Sequence, residues 1–397
     1  MKSPIDKPSI LIKIIKMKTD TDPSHCVMTA AEVCQALGFS RDTLYAYVSR
    51  GLLRSAAHPS DRRKSLYDRR DVQALAERKQ RGRSRRAVAE STINWGEPVL
   101  TSKITRIADG RFYYRGQDAL IHARDATLEE TLELLAGVPD KPVRLPPGFV
   151  VPAERLPFDR IMACLSAEAI AGRAADGRRR AAQLLRLAAL SAAGVSDADP
   201  DLPAHELLAR AWSNNPAAPD LIRRALVLCA DHELNASAYT ARVAASAGAS
   251  LPAALLAGMA ALSGNRHGGL TSACRDWVVA MQGALSPEWR AQHALDGKPA
   301  PGFGHPLYPD GDPRAKALLA AFPRTPEWHG LAAQVLEATG DHPTIDFGLA
   351  LLERSLNLPE GAGMGIFAAG RMAGWIAHVF EQRQTGQLIR PRAAVEA

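Results

Sequence analysis

Apolar residues recur at helical spacing along most of this chain, and Pro and Gly supply the interruptions. Near the N-terminus, "MTAAEVCQALGFSRDTLYAYVSRGLL" holds two short helical patterns joined by Gly38. Thr29 and Glu32 stand at capping-box spacing, and Val33 and Leu37 form an apolar i, i+4 pair. Ser40 predicts a second cap, after which Leu44 and Val48 pair again and Leu52 and Leu53 follow. Two such helices on a short turn give helix-turn-helix geometry. The next stretch, "HPSDRRKSLYDRRDVQAL", reads as a basic hairpin and then a new helix from Asp71.

Further on, "KITRIADGRFYYRGQDA" alternates around Asp109-Gly110 and predicts a small β-hairpin. Beyond Thr127 helical periodicity dominates, over Leu128–Leu135, Ala175–Ala193, Pro203–Trp212, Pro219–Ala230 and Leu251–Leu262. Residues 136–157 contain six prolines and predict an extended crossing between helices. Apart from the hairpin, the expected body is all-α.

Composition adds domain organisation. A chain of 397 residues is too long for one simple core, so two or three domains are expected. Cys26, Cys34, Cys164, Cys229 and Cys274 show no CxxC pairing, which implies reduced thiols in a cytoplasmic protein and neither a disulfide frame nor a metal site. The longest apolar run, Leu251–Leu262, is too short to span a membrane. Lysines interrupt the N-terminal "ILIKIIKMK", a poor signal peptide, and residues 1–27 are expected to be a disordered tail. The net charge of +7 is uneven: residues 1–90 carry 19 Lys/Arg against 10 Asp/Glu, and residues 91–397 carry 30 against 32. A basic head on a neutral body is the footprint of a nucleic-acid module, with a basic linker over 81–94. A solvated basic face on a protein-docking domain is the other reading of the same charge.

The head resembles the winged helix-turn-helix of the MerR and excisionase group over residues 28–80, through "TLYAYVSRGLL" and "LYDRRDVQAL". The resemblance implies that Arg41, Thr43 and Tyr45 face the major groove of DNA and that Arg62, Arg63 and Lys64 on the wing meet phosphate.

In the body, a few polar islands interrupt the apolar background. "DHELNAS" sets Asp231 and His232 beside small residues, and "RHGGL" puts His267 before two glycines that permit close approach. "GFGHPLYPDGDPRAKAL" supplies His305 and Arg314, and "TIDFGLALL" places Asp346 in the first turn of a helix capped by Thr344. "FAAGRMAGWIAHVFEQ" carries Arg371 on a helix made for close packing, and "LIRPRA" brings Arg390. Each residue alone reads as an ordinary structural hydrogen-bonder or ion-pair partner. Six such islands in this order resemble the citrate synthase family over residues 95–397.

That resemblance implies a large helical domain (95–231 and 346–397) and a small one (232–345) that closes over substrate. It implies a homodimer in the tricarboxylic acid cycle that condenses acetyl-CoA, or propionyl-CoA, with oxaloacetate, giving citrate or 2-methylcitrate and CoA. Asp346 would be the base, His267 the donor to the enolate, and His305 the polariser of the ketone. His232, Arg314, Arg371 and Arg390 would hold the oxaloacetate dianion, Arg390 reaching across the dimer interface. Acyl-CoA is a co-substrate, and no tightly bound cofactor or metal is implied. Three stretches depart from the family pattern. Leu270, Thr271 and Ser272 replace Ala-Asn-Glu; Pro306, Leu307, Tyr308 and Pro309 replace Arg-Val-Tyr-Lys, which removes two cations for CoA phosphates; and the small-residue turn after Asp346 is missing. A transcriptional regulator whose body senses oxaloacetate, citrate or acyl-CoA is the alternative reading.

Overall fold

The computed structural model describes residues 27–49, 53–58, 61–69, 71–73, 75–76, 100–143, 145, 148–172, 177–323 and 326–393. The expected tail before Val27 and the basic linker over 81–94 lie outside the described residues. The chain divides into two compact units between Thr101 and Ser102.

In the first unit, β1 (Val27–Thr29) leads into α1 (Ala30–Leu37) and α2 (Arg41–Ser49), followed by β2 (Ser55–His58) and β3 (Asp61–Asp68). Thr29 closes the expected capping box with Glu32, and Gly38 ends α1 in the left-handed region at φ 61°. Ser40 Oγ accepts the Thr43 amide at 3.2 Å, so the second cap forms as well. The three antiparallel strands run in the order β1-β3-β2. Val33, Leu37, Leu44, Leu53, Tyr67 and Val72 form a small core beneath them.

The second unit opens with β4 (Thr105–Ala108), β5 (Arg111–Tyr114) and β6 (Gln117–Asp118). Asp109 and Gly110 take φ 52° and 67° at the predicted hairpin turn, as a tight two-residue connection requires. Helices α3 (Ala119–His122), α4 (Leu128–Ala136), α5 (Pro157–Ile170), α6 (Arg178–Ala193), α7 (Ala204–Trp212) and α8 (Ala218–Cys229) follow. The described residues of the proline-rich stretch between α4 and α5 carry no helix or strand. Next come α9 (Ala236–Ser246), α10 (Leu251–Leu262), α11 (Gly269–Met281), α12 (Pro287–Asp296), α13 (Pro313–Ala321), α14 (Pro326–Thr339), α15 (Ile345–Ser355) and α16 (Ala362–Thr385).

α16 is the axis of this unit, buried along most of its length as only a core helix is. A Cβ at Gly374 would lie 2.4 Å from the Ala230 carbonyl oxygen, so this contact with the end of α8 requires glycine. α9 and α10 bury their apolar faces in the same core. A second core, drawn from Cys274 to Leu351, gathers Val278, Phe303, Trp328, Leu331 and Phe347. α15 lies between the two: Ile345, Leu349 and Leu352 join the first core, and Phe347, Ala350 and Leu351 join the second. The side chain between Ile345 and Phe347 is that of Asp346. Among the described residues no helix is long and apolar enough to cross a membrane.

Candidate active site

A loop and the first turn of α11 meet the start of α15. The loop from Gly302 to Asp312 is tied to it by backbone bonds from Gly304 N–H to the His342 carbonyl, 2.9 Å, and from Thr344 N–H to the Gly302 carbonyl, 2.8 Å. The same loop brings in His305 and ends at Asp312, the N-cap of α13. Tyr114, on the hairpin, donates to the Val227 carbonyl at 2.8 Å and accepts from the Asp231 amide at 3.2 Å, which fixes the chain entering "DHELNAS".

Asp346 is almost fully buried. Thr271 Oγ1 donates to its Oδ1 at 2.5 Å, and Thr344 Oγ1 donates to its Oδ2 at 3.1 Å. Burial pushes the carboxyl above the usual range, opposed by these hydroxyls and by Arg314. Thr344 is the N-cap by backbone, but its hydroxyl makes no cap bond, unlike the sequence expectation. A missing cap costs about 1 kcal/mol. Asp312 offsets it, since its Oδ2 accepts the Ile345 amide at 3.0 Å.

Asp312 also grips Arg314 side-on, Oδ1 to Nε at 3.0 Å and Oδ2 to Nη2 at 2.8 Å. Burial works against the Arg314 charge, but Asp312 outweighs it and keeps the guanidinium cationic. Burial likewise opposes the Asp312 charge, and Arg314 holds that carboxyl below its usual range. Arg371, on α16, is 1% exposed. Its Nε donates to the Cys229 carbonyl at 2.7 Å, and the Phe367 ring lies 4.9 Å from the guanidinium carbon. Its Nη2 is buried without a hydrogen-bond partner. Such a group calls for an anionic or carbonyl oxygen.

The three histidines are neutral. His232 Nε2 lies 2.8 Å from Tyr308 Oη, and its ring stands 5.5 Å from that of His305. Burial, then Arg314 and the neighbouring histidines, hold His232 well below its usual value. Burial and Arg314 bring His305 down to about 4. The Leu307 amide donates to His305 Nδ1 at 3.2 Å, so the neutral ring carries its proton on Nε2 and can donate from there. Burial, Arg371 and Arg314 bring His267 down to about 3. Its Nε2 lies 2.8 Å from Ser237 Oγ, which also accepts Trp375 Nε1–H at 3.1 Å and donates to Asn235 Oδ1 at 2.7 Å. Ser237 has one proton. Here it points to Asn235, so His267 donates from Nε2 to Ser237; turned to His267, it leaves the imidazole's own proton on Nδ1, able to donate.

The sequence-expected residues His232, His267, His305, Asp346, Arg314 and Arg371 thus fall within one connected set of hydrogen bonds, ring contacts and mutual electrostatic influence. Arg390 does not join it: it is exposed beyond α16 and makes no hydrogen bond or ion pair to the set within its own chain. Sequence reading missed Asp312, Thr271, Ser237 and Tyr308. Of these, Asp312 carried a signal, as an Asp before Pro at a helix start two residues ahead of an arginine. Behind the site, Arg242 Nε donates to His378 Nδ1 at 3.0 Å, and His378 Nε2 faces Asp231 Oδ1 at 3.2 Å. Among the described residues no group of three or more His, Cys, Asp or Glu is arranged to hold a metal ion.

In the N-terminal unit, Arg41 and Tyr45 lie one turn apart on one exposed face of α2. Thr43 is turned to the other side, its hydroxyl 2.9 Å from that of Ser40. Lys64 is exposed on β3, while the side chains of Arg62 and Arg63 lie outside the described residues.

Comparison with known proteins agrees with both units. A family model described as "Citrate synthase, C-terminal domain" matches residues 155–392, more than half of the chain, and one described as "Helix-turn-helix domain" matches residues 27–80. Citrate synthase 2 of Bacillus subtilis is 33% identical over 190 residues, 45% of this chain and 51% of that protein. A 2-methylcitrate synthase 2 of Corynebacterium glutamicum is 32% identical over 190 residues, 45% of this chain and 50% of that protein. The chain spans about half the length of the curated relatives it matches. Among solved structures, the citrate synthase of Thermoplasma acidophilum, in a ternary complex with carboxymethyl coenzyme A and oxaloacetate, aligns with a TM-score of 0.64 at 23% identity, over 78% of this chain and 96% of that one. The citrate synthase of Thermotoga maritima aligns with a TM-score of 0.61 at 22% identity, over 76% and 94%. At these identities the likeness is one of fold. With the family model covering most of the helical body and the helix-turn-helix model the basic head, the chain belongs to the citrate synthase family and carries a helix-turn-helix domain at its N-terminus.

Proposed function

We propose that the body condenses an acyl-CoA with oxaloacetate, giving citrate or 2-methylcitrate and CoA. The observation that carries this reading is the buried, unpartnered Nη2 of Arg371, whose charge acts on the neutral His232 and His267, in the connected set that also holds His305 and the buried Asp346. A dicarboxylate supplies the acceptor that Arg371 lacks.

Asp346 takes a proton from the carbon next to the thioester carbonyl. The neutral His267 donates from Nδ1 to the oxygen of the resulting enolate, an arrangement available only while Ser237 donates to Nε2. The enolate carbon attacks the oxaloacetate ketone, whose oxygen receives a hydrogen bond from His305 Nε2. Arg314 and Arg371 hold the carboxylates, with His232 beside them. Water then hydrolyses the thioester and releases CoA. Closure of the lobe built on the second core excludes water while the enolate exists. Arg390, exposed in its own chain, completes the clamp in the partner subunit of a homodimer. Relatives named for citrate and for 2-methylcitrate synthesis match about equally, and one methylene gives only about 1–3 kcal/mol of discrimination. The buried acid–base set favours catalysis over a body that only senses metabolites. DNA contact by the head is part of the proposal, supported by the helix-turn-helix match and by exposed Arg41, Tyr45 and Lys64.

The test is thiol release by the full chain given oxaloacetate with acetyl-CoA or propionyl-CoA. Release with either donor, lost in Arg371→Leu, is the expected result. No release from either donor at high enzyme concentration would sink the reading.

A further inference from the structure

Each oxygen of Asp346 is held by one threonine hydroxyl, and the hydroxyl from α15 itself makes none of the bonds that its helix position predicts. Thr344 has the extended backbone of an N-cap, φ −98° and ψ 174°, but no bond to the α15 amides. The Thr344 hydroxyl donates to Asp346 Oδ2 instead, while Asp312 accepts the neighbouring Ile345 amide. Thr271, 1% exposed in the first turn of α11, reaches Oδ1 at 2.5 Å. An ionised carboxylate only accepts, so both hydroxyls must donate. The two donors come from different helices. Thr271 stands four residues beyond His267, and its bond ties the carboxylate to the segment that carries that imidazole.

We propose that Thr271 and Thr344 are positioning residues for Asp346: their hydroxyls fix the plane of the carboxylate against the His267 segment and keep it ionised. Their place in catalysis rests on the reading of Asp346 as the base, whereas their hold on the carboxylate does not. A hydroxyl suits a group that gains and loses a proton. When Asp346 is protonated, Thr271 Oγ1 can turn and accept from the new O–H.

The other ionisable groups acting on Asp346 leave room for this control. Arg314 favours its charge and Asp312 opposes it. Cys274 on α11 and Cys229 on α8 both feel Asp346, but burial pushes the first thiol well up and the second up to about 12, so both stay neutral. Arg371 on α16 acts on Cys229 and His267. The two hydroxyls are therefore the neighbours that substitution can remove without adding or deleting a charge.

The experiment compares the full-length protein with Thr271→Val, Thr344→Val and Thr271→Ser. The Asp346 carboxyl is followed by carbon-13 NMR titration, assigned by its loss in Asp346→Asn, with circular dichroism as the check on folding. Losing one charge-assisted bond is expected to raise the carboxyl's titration point by about one to two pH units in Thr271→Val. The shift should be smaller in Thr344→Val, and Thr271→Ser should restore the parent value. The acid limb of kcat should move by the same amount, with KM for oxaloacetate unchanged. A titration point that stays put in both valine variants overturns the proposal, as does a serine variant that behaves like valine. Should the parent release no thiol, the NMR titration still decides the inference, so its failure and that of the proposed function are separate results.

Discussion

Asp312 and Arg314 are joined by two parallel hydrogen bonds in a fully buried place, and the same Asp312 carboxylate caps the helix that carries Asp346. One acid thus fixes the orientation of a candidate substrate clamp and the start of the helix that bears the candidate base. The clamp and the base cannot shift independently.

Asp312→Asn should therefore cost far more than a surface ion pair. It leaves the Arg314 guanidinium buried without its counter-charge, a loss of about 3–5 kcal/mol in urea unfolding at pH 7. The Asp312 carboxyl titrates below its unfolded value, so its contribution is present above that value and fades as pH falls through the folded one. Parent and variant unfolding free energies should converge in acid; a constant gap down to pH 3 would refute the charge account.

Asp346→Asn should separate stability from activity. Burial holds the Asp346 carboxyl above its unfolded value, so the folded state loses stability as pH rises through the folded value. A neutral amide of the same shape removes that penalty. Melting at pH 7 should move up, by about 2–4 °C for each kcal/mol relieved, while thiol release is abolished. A variant that melts lower than the parent would count against the charge-burial reading.

The histidines make a further pH prediction. His267 and His305 are held down to about 3 and about 4, against about 6.5 in the unfolded chain. Between those values the unfolded chain binds the extra protons, so stability declines as pH falls below 6.5, by about 1.4 kcal/mol per pH unit for each such group. His267→Gln should make the fall in urea midpoint between pH 7 and pH 5 shallower. The rate profile should show no histidine limb near neutrality.

For the head, gel shift against the DNA upstream of the protein's own coding region tests the exposed face of α2. Arg41→Ala with Tyr45→Ala should weaken binding, and Lys64→Ala should lower the slope of log affinity against log salt by about 0.9 for a lost phosphate contact. Unchanged affinity in the α2 double variant would argue for a protein-docking head.

Local signals were enough for several elements. Thr29, Glu32 and Gly38 bound α1 because capping and the left-handed stop are set by neighbours within one turn. Leu251–Leu262 is helical over the predicted span, and Asp109-Gly110 turns the predicted hairpin. Thr344 makes no side-chain cap: its hydroxyl donates to Asp346 Oδ2 two residues on, and the carboxylate that takes the first helix amide comes from Asp312, some thirty residues away. Thr271 read only as a departure from the family pattern, since nothing near it in sequence is a carboxylate.

By itself the sequence determined the helical character of the body, the charge asymmetry of the head, and the residue types of the candidate site, because periodicity, capping and composition are local properties. Only the tertiary structure decided what those residues do to one another. Burial between two cores turned Asp346 from a helix-end charge into a perturbed carboxyl, left Arg371 Nη2 without a partner, and made three histidines neutral. Desolvation and hydrogen-bond satisfaction depend on everything packed around a group, and most of that comes from distant parts of the chain.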